Sequence, residues 1–107
     1  MFTVEYYESP DGDVPFLEWL DEFTDGPTVL RILVRIRRAG RGNFGDHKPV
    51  GSGVWELRLN FGPGYRVYYV KSGARILCFL GGGDKSSQRR DVARAIGQFT
   101  EFRKRGE

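Results

Sequence analysis

Arg58 and Arg66 are the residues of this 107-residue chain whose type and spacing most invite chemistry. They fall in two runs that read as neighbouring strands, Val54–Phe61 and Tyr65–Lys71, joined by Gly62-Pro63-Gly64. Side chains alternate along a strand, so Trp55, Leu57, Leu59 and Phe61 share one face while Glu56, Arg58 and Asn60 share the other. In the second run Arg66, Tyr68 and Val70 oppose Tyr65, Val67 and Tyr69. One face then reads as core, and the other as a polar surface holding Arg58, Arg66 and Tyr68. Two guanidiniums side by side repel unless an anion or a carboxylate joins them. Glu56 is the structural candidate for that joining role; a phosphate is the functional one.

Other reactive types are sparse. His47 is the one histidine, so any Ser-His or Cys-His relay would have to use it. It falls beside Lys48 in a glycine-rich stretch with no evident nucleophile, and reads as a surface histidine. Cys78 shares its strand face with Ile76 and Leu80 and reads as a small core side chain. The run GGGDKSS follows a strand and invites comparison with a phosphate-binding loop. Its glycine spacing is wrong and Asp84 precedes Lys85, where a carboxylate would repel phosphate from the backbone N–H groups. Lys85 remains able to meet a phosphate through its side chain, although a lone lysine is more often just solvated. With no clustered Cys and His, the sequence gives no structural zinc site, and we expect no metal or other cofactor.

The elements that must position these residues follow from pattern. Ser72-Gly73 joins the second run to a third, Ala74–Leu80, so Gly51–Asp84 reads as an antiparallel meander. Phe2–Glu8 alternates as another strand and is expected to complete a four-stranded sheet. After Ser9-Pro10-Asp11-Gly12, a helix starts with Pro15 in its first turn, and Phe16, Leu17, Leu20 and Phe23 recur at helical spacing. A second helix, about Thr28 to Ala39, carries Val29, Ile32, Leu33 and Ile36 on one stripe and Arg31, Arg35 and Arg38 on another. The two read as a helical hairpin covering one sheet face, with Phe16, Leu20, Ile32 and Ile36 against Trp55, Leu57 and Val67. Gly40 to Pro49 reads as a loop. Asp84 looks like the N-cap of a third helix, whose seam is Val92, Ile96 and Phe99. The expected order is β-α-α-β-β-β-α in a single α+β domain spanning residues 1–107.

Composition narrows the class. A hydrophobic share of 39% with 29% charged residues is that of an ordinary soluble domain. No apolar run approaches the ~20 residues of a membrane helix, and the N-terminus shows no signal-peptide pattern. A lone cysteine excludes an internal disulfide and favours a reducing compartment, the cytoplasm. Net charge is only +3, but the acids gather before position 25, while arginines crowd the second helix and the C-terminal stretch. That asymmetry suits a polyanion or an acidic protein partner; a solvated basic helix face suits it equally.

The run GNFGDHKPVGSGVWELRLNFGPGYRVYY followed by GGGDKSSQRRDVARAI resembles the addiction-module killer (HigB-like) subfamily of the RelE/ParE toxins. VPFLEWL and RILVRIRR extend the likeness upstream. The resemblance implies a RelE-like fold, a helical hairpin on a twisted, mostly antiparallel four-stranded sheet. It implies a type II toxin, neutralised by a co-encoded antitoxin, here one of helix-turn-helix type as in HigA-type pairs. Such toxins either cut mRNA on the ribosome or, in the ParE-like branch, poison DNA gyrase without being enzymes. For the ribonuclease, the likeness carries catalytic roles to Arg66, Arg58 and Lys85, with Lys48 positioning RNA and Tyr68 stacking on it or hydrogen-bonding to it. Glu56 and Asp91 stand where the family has a lysine and a tyrosine, so the general base is left open. An acidic antitoxin segment is expected along Arg31, Arg35 and Arg38, or directly over Arg58 and Arg66.

Overall fold

A computed structural model describes residues 1–106. Five strands form one sheet, with helices on both faces. The strands are β1 (Thr3–Tyr6), β2 (His47–Gly51), β3 (Val54–Leu59), β4 (Tyr65–Ser72) and β5 (Ile76–Asp84). The helices are α1 (Pro15–Asp21), α2 (Gly26–Gly40) and α3 (Gln88–Lys104), the last preceded by a single 3-10 turn, Lys85–Ser87. Among the described residues, no helix is long and apolar enough to cross a membrane.

The four-stranded, mostly antiparallel sheet expected above is overturned. The strand order is β1-β5-β4-β3-β2, and β1 lies parallel to β5 in the register Thr3↔Ile76 to Tyr6↔Phe79. The fifth strand is β2, formed by residues read as loop. It pairs antiparallel with β3 from His47↔Leu57 to Gly51↔Val54, leaving Ser52-Gly53 as a two-residue turn. Both turn residues have positive φ, 54° and 84°, the geometry that matches the twist of a hairpin. Pro49 has no N–H to donate and is tolerated because β2 is an edge strand. β5 is also longer than expected, since Gly81, Gly82 and Gly83 continue its pairing with β4 past a bulge at Leu80. The helices differ too: α1 packs on β5 and α2 on β1, each meeting the sheet rather than chiefly its neighbour.

Alternation along β3 and β4 builds a core on each side. Leu57, Leu59, Val67 and Tyr69 join Leu77 and Phe79 beneath Phe16, Ile32 and Ile36 of the first two helices. The opposite side is not an open polar face. Val54, Tyr68, Val70, Cys78 and Leu80 are buried there under α3, against Ala95 with Val92, Ile96, Phe99 and Phe102. The first two helices each leave an apolar residue of the expected stripe in solvent: Leu17 is 44% exposed on α1 and Leu33 38% on α2.

Candidate functional site

Turn geometry puts Arg58 and Arg66 together. The loop between β3 and β4 places Arg58 directly opposite Arg66 and Glu56 opposite Tyr68, so all four point to the α3 side of the sheet. Lys48 of β2 stands opposite Glu56, which extends the row to a third strand. The face that buries Tyr68 under α3 opens past the first turn of that helix, where the arginines emerge.

Glu56 is the hub of this group. It is fully buried, with its carboxylate 3.2 Å from Arg58 Nε and 3.4 Å from Arg66 Nε. Gln88 of α3 donates its Nε2 hydrogen to the same carboxylate at 2.8 Å. A carboxylate stripped of water requires such partners. Arg66 also donates from a terminal nitrogen to the Gly64 carbonyl, 3.0 Å away, which fixes its fork against the turn. Its Nε approaches Glu56 as an ion pair without good hydrogen-bond geometry. The side chain of Arg66 is 12% exposed and that of Arg58 33%, so charge reaches the surface while the shafts stay packed. Two cations and one anion leave the trio with a single net positive charge, partly desolvated and aimed outward. That arrangement binds anions.

The remaining residues singled out from the sequence divide. Lys85 is exposed on the 3-10 turn, with its Cβ beside the Gly64 turn that Arg66 also touches. Lys48 is exposed and shares a shallow groove with Gln88 and Arg89. Both can reach a chain lying over the arginines. Tyr68 is different: it is 1% exposed, and α3 covers its ring, so no base stacks on it in this structure. Its hydroxyl has no well-formed hydrogen bond; burial first, then the Glu56 and Asp91 charges, push its pKa well above the usual phenol range.

His47, expected at the surface, is half-buried instead. It stacks between Phe44 and Trp55, at 5.1 and 5.0 Å, and its Nδ1 meets the Tyr69 hydroxyl at 3.1 Å. This is a packing role on the face opposite Arg58. Cys78 is buried among Leu80 and Val70, as expected. Asp84 accepts from the Ser86 N–H at 2.8 Å, and this capping, led by the Ser86 hydroxyl, holds its carboxyl below the usual range. Asp91 is buried, accepts from the Ser87 hydroxyl and pairs with Arg94 at 3.3 Å.

Two features escaped the reading of the sequence. Gln88 stands in the run GGGDKSSQRRDVARAI but was given no role, although a polar residue opening a helix beside a buried carboxylate is a natural partner for it. A groove of about 490 Å³ was also missed. Leu30, Val34, Arg31 and Arg38 of α2 form one wall, and Arg58 and Phe61 the other. Arg31 lies 3.8 Å over the Phe61 ring. The basic stripe of α2 therefore shares a groove with Arg58 rather than standing apart from it.

No family model matches the chain. Over 80 residues, 75% of this chain and 81% of the relative, it is 41% identical to a protein of Haemophilus influenzae described as uncharacterized. At that identity and coverage, the chain belongs to the same family as this Haemophilus influenzae protein.

Proposed function

We propose that this protein is a RelE/ParE-type toxin of a type II toxin-antitoxin system, acting in the cytoplasm as a ribosome-dependent, metal-independent mRNA endonuclease. The observation that carries the reading is the Arg58–Glu56–Arg66 trio, a pre-oriented pair of guanidiniums with net positive charge at the sheet surface. RNA cleavage by the neighbouring 2′-OH forms a bond from that oxygen to phosphorus and breaks the bond to the 5′-oxygen. It needs a base for the hydroxyl proton, cations for the charge that grows on the phosphoryl oxygens, and a proton for the leaving oxygen. Arg58 and Arg66 supply the cations, with Glu56 and Gln88 holding them in place. Lys85 and Lys48 flank them and would hold the RNA backbone.

One observation favours a second reading. Glu56 is tied between two guanidiniums and Asp91 is buried against Ser87, so neither carboxylate is placed to accept the 2′-OH proton. A cationic surface on which neither of these carboxylates is free suits a ParE-like inhibitor that docks on DNA gyrase. Induction of the protein followed by mapping of mRNA 5′ ends separates the two. Cuts at fixed codon positions support the nuclease; DNA damage without such cuts supports the gyrase inhibitor. Arg66→Ala should abolish growth arrest, and full toxicity of that variant would remove Arg66 from the mechanism.

The partner belongs to the same proposal. A helix-turn-helix antitoxin would lay an acidic segment in the groove beside α2. Leu30 is 62% exposed and Val34 40%, which gives such a segment apolar anchors between the arginines. Because Arg58 forms part of the opposite wall, one segment can cover the stripe and half of the arginine pair at once.

A further inference from the structure

Among the described residues, two buried polar side-chain atoms make no hydrogen bond: Arg66 Nε and the Tyr68 hydroxyl. Both belong to β4, and both point to the α3 side of the sheet beside Glu56, which stands directly across from Tyr68 on β3. A buried donor left unbonded costs free energy, so two of them around one carboxylate call for a reason. Glu56, ahead of Asp91, is the carboxylate that acts on the hydroxyl. Asp91 is already engaged by Ser87 and Arg94, on the wall of a separate groove of about 680 Å³ between α1 and α3. We propose that Tyr68 is a positioning residue, the reserve donor to Glu56. When a phosphate of an RNA backbone binds the arginine pair, Arg66 turns its Nε from Glu56 toward the phosphate, and the Tyr68 O–H takes its place on the carboxylate. The inference rests on the reading above that Arg58 and Arg66 receive such a phosphate, and needs no cleavage step.

The contacts around Glu56 rank its partners by how readily each leaves. Arg58 donates from Nε at 3.2 Å and Gln88 from Nε2 at 2.8 Å, both as hydrogen bonds. Arg66 holds on by charge alone, at 3.4 Å. Its hydrogen bond goes elsewhere, from a terminal nitrogen to the Gly64 carbonyl at 3.0 Å, and that bond can stay made while Nε tilts outward. Lys85, with its Cβ beside the same turn, draws an anion to that side of the pair.

Moving a cation off a buried carboxylate is costly unless another donor arrives. A carboxylate offers about four lone-pair directions, and a hydroxyl turns about its C–O bond to meet one of them. The bond that results is charge-assisted. Tyr68 has no hydrogen bond to give up, so the exchange gives Glu56 a new donor while Arg66 gains an acceptor on the phosphate.

The probe is a 2′-O-methyl RNA hexanucleotide, which carries the phosphates but no free 2′-OH. It is titrated into the intact protein and followed through arginine Nε–H and tyrosine side-chain resonances. Binding should move the Arg66 Nε–H and bring up a slowly exchanging Tyr68 hydroxyl proton, while the Gln88 side-chain amide stays in place. Tyr68→Phe removes only the hydroxyl and keeps the ring in its core. It should leave the urea midpoint where it is, yet weaken the hexanucleotide by about tenfold, the size of one hydrogen bond to a charged group. A merely structural hydroxyl gives the reverse, a lower midpoint with unchanged binding, and that result overturns the proposal. So does binding that leaves the Arg66 Nε–H unmoved. If the hexanucleotide fails to bind at millimolar concentration, or binds Arg66→Ala as well as the parent, the phosphate reading itself falls and the inference with it.

Discussion

Glu56 has no exposed surface and meets two guanidiniums and one amide, so its charge holds the candidate site together from behind. Removing one partner of a buried ionic group costs more than the group ever contributed, because the others are left uncompensated. Glu56→Gln keeps the shape and removes the charge, leaving Arg58 and Arg66 to repel across the strands. It should destabilise the fold by about 3 kcal/mol in urea unfolding. Arg58→Gln, at the more exposed end of the pair, should cost about 1 kcal/mol or less. Equal losses for the two variants would remove Glu56 from the centre of the group. The tyrosines offer a second test at this scale. Burial, followed by the 2.6 Å hydrogen bond to Glu101, pushes Tyr7 up to about 12; burial alone pushes Tyr69 up to about 12, against the opposing charge of Arg35. Unfolded phenols titrate near 10.0, so the folded chain binds more protons than the unfolded chain above that value. The stabilisation is complete below pH 10 and is lost as pH rises toward 12. An absorbance titration should show these phenols ionising together with unfolding; smooth ionisation of all tyrosines near 10 with the fold intact would contradict it.

Among the elements, β5 explains why GGG belongs in a strand. Glycine normally weakens a strand, yet here two of the three missing side chains make room for a particular neighbour. A Cβ on Gly82 would overlap the Trp19 ring, and one on Gly83 would overlap the Asp91 carboxylate, whereas one on Gly81 would meet nothing within 4 Å. Gly82→Ala should therefore cost about 1–3 kcal/mol by pushing α1 off the sheet. Gly81→Ala should stay within about 0.5 kcal/mol of the parent, as substitutions away from packed contacts do. A comparison of thermal or urea midpoints decides it, and similar losses for the two would mean that Trp19 does not press on the strand. This close approach was not legible from the chain, because a triple glycine reads as loop until its neighbours are known. β2 was missed for a related reason. An edge strand exposed along most of its length has no apolar alternation, and Pro49 argued against a strand. The one available signal was Ser52-Gly53, the same dipeptide read as a turn at Ser72-Gly73, where Ser72 in fact ends β4 and residues 73–75 make the turn. What local pattern did convey was the register of β3 on β4, and with it the meeting of Arg58 and Arg66. It also conveyed the place of Phe16, Ile32 and Ile36 in the core of one face, whereas the second core, where Val92, Ile96 and Phe99 pack, lies on the face read as polar. The parallel pairing of β1 with β5 joins residues more than seventy positions apart, and no local period encodes it. Glu56 was legible as a residue type able to join two arginines, but its complete burial depends on α3 closing over it.

At the scale of the whole molecule, a net charge of +3 conceals two surfaces of opposite bias. The arginines of α2 and Arg58 line one groove, while Glu18 and Glu22 line the α1 side of the other. Such fields act mainly on encounter rates and on the choice between partners. Arg35 is a poor place to test this, because it donates to the Asp46 carbonyl at 3.3 Å and its head lies against Gly45, so its loss would disturb the loop before β2. Arg31 and Arg38 are exposed and make no such tie to the loop. Reversing both to Glu should leave unfolding midpoints nearly unchanged, since surface charges contribute little to stability. It should slow association with an acidic antitoxin segment by about tenfold or more at low ionic strength. The slope of the rate against salt should flatten, because the variant has less attraction left to screen. Dissociation should change far less, since Leu30 and Val34 supply the apolar hold and are untouched. Stopped-flow association at several salt concentrations reads all of this directly. An unchanged association rate at low salt would show that the α2 arginines are a solvated face, and that the proposed antitoxin segment does not lie along them.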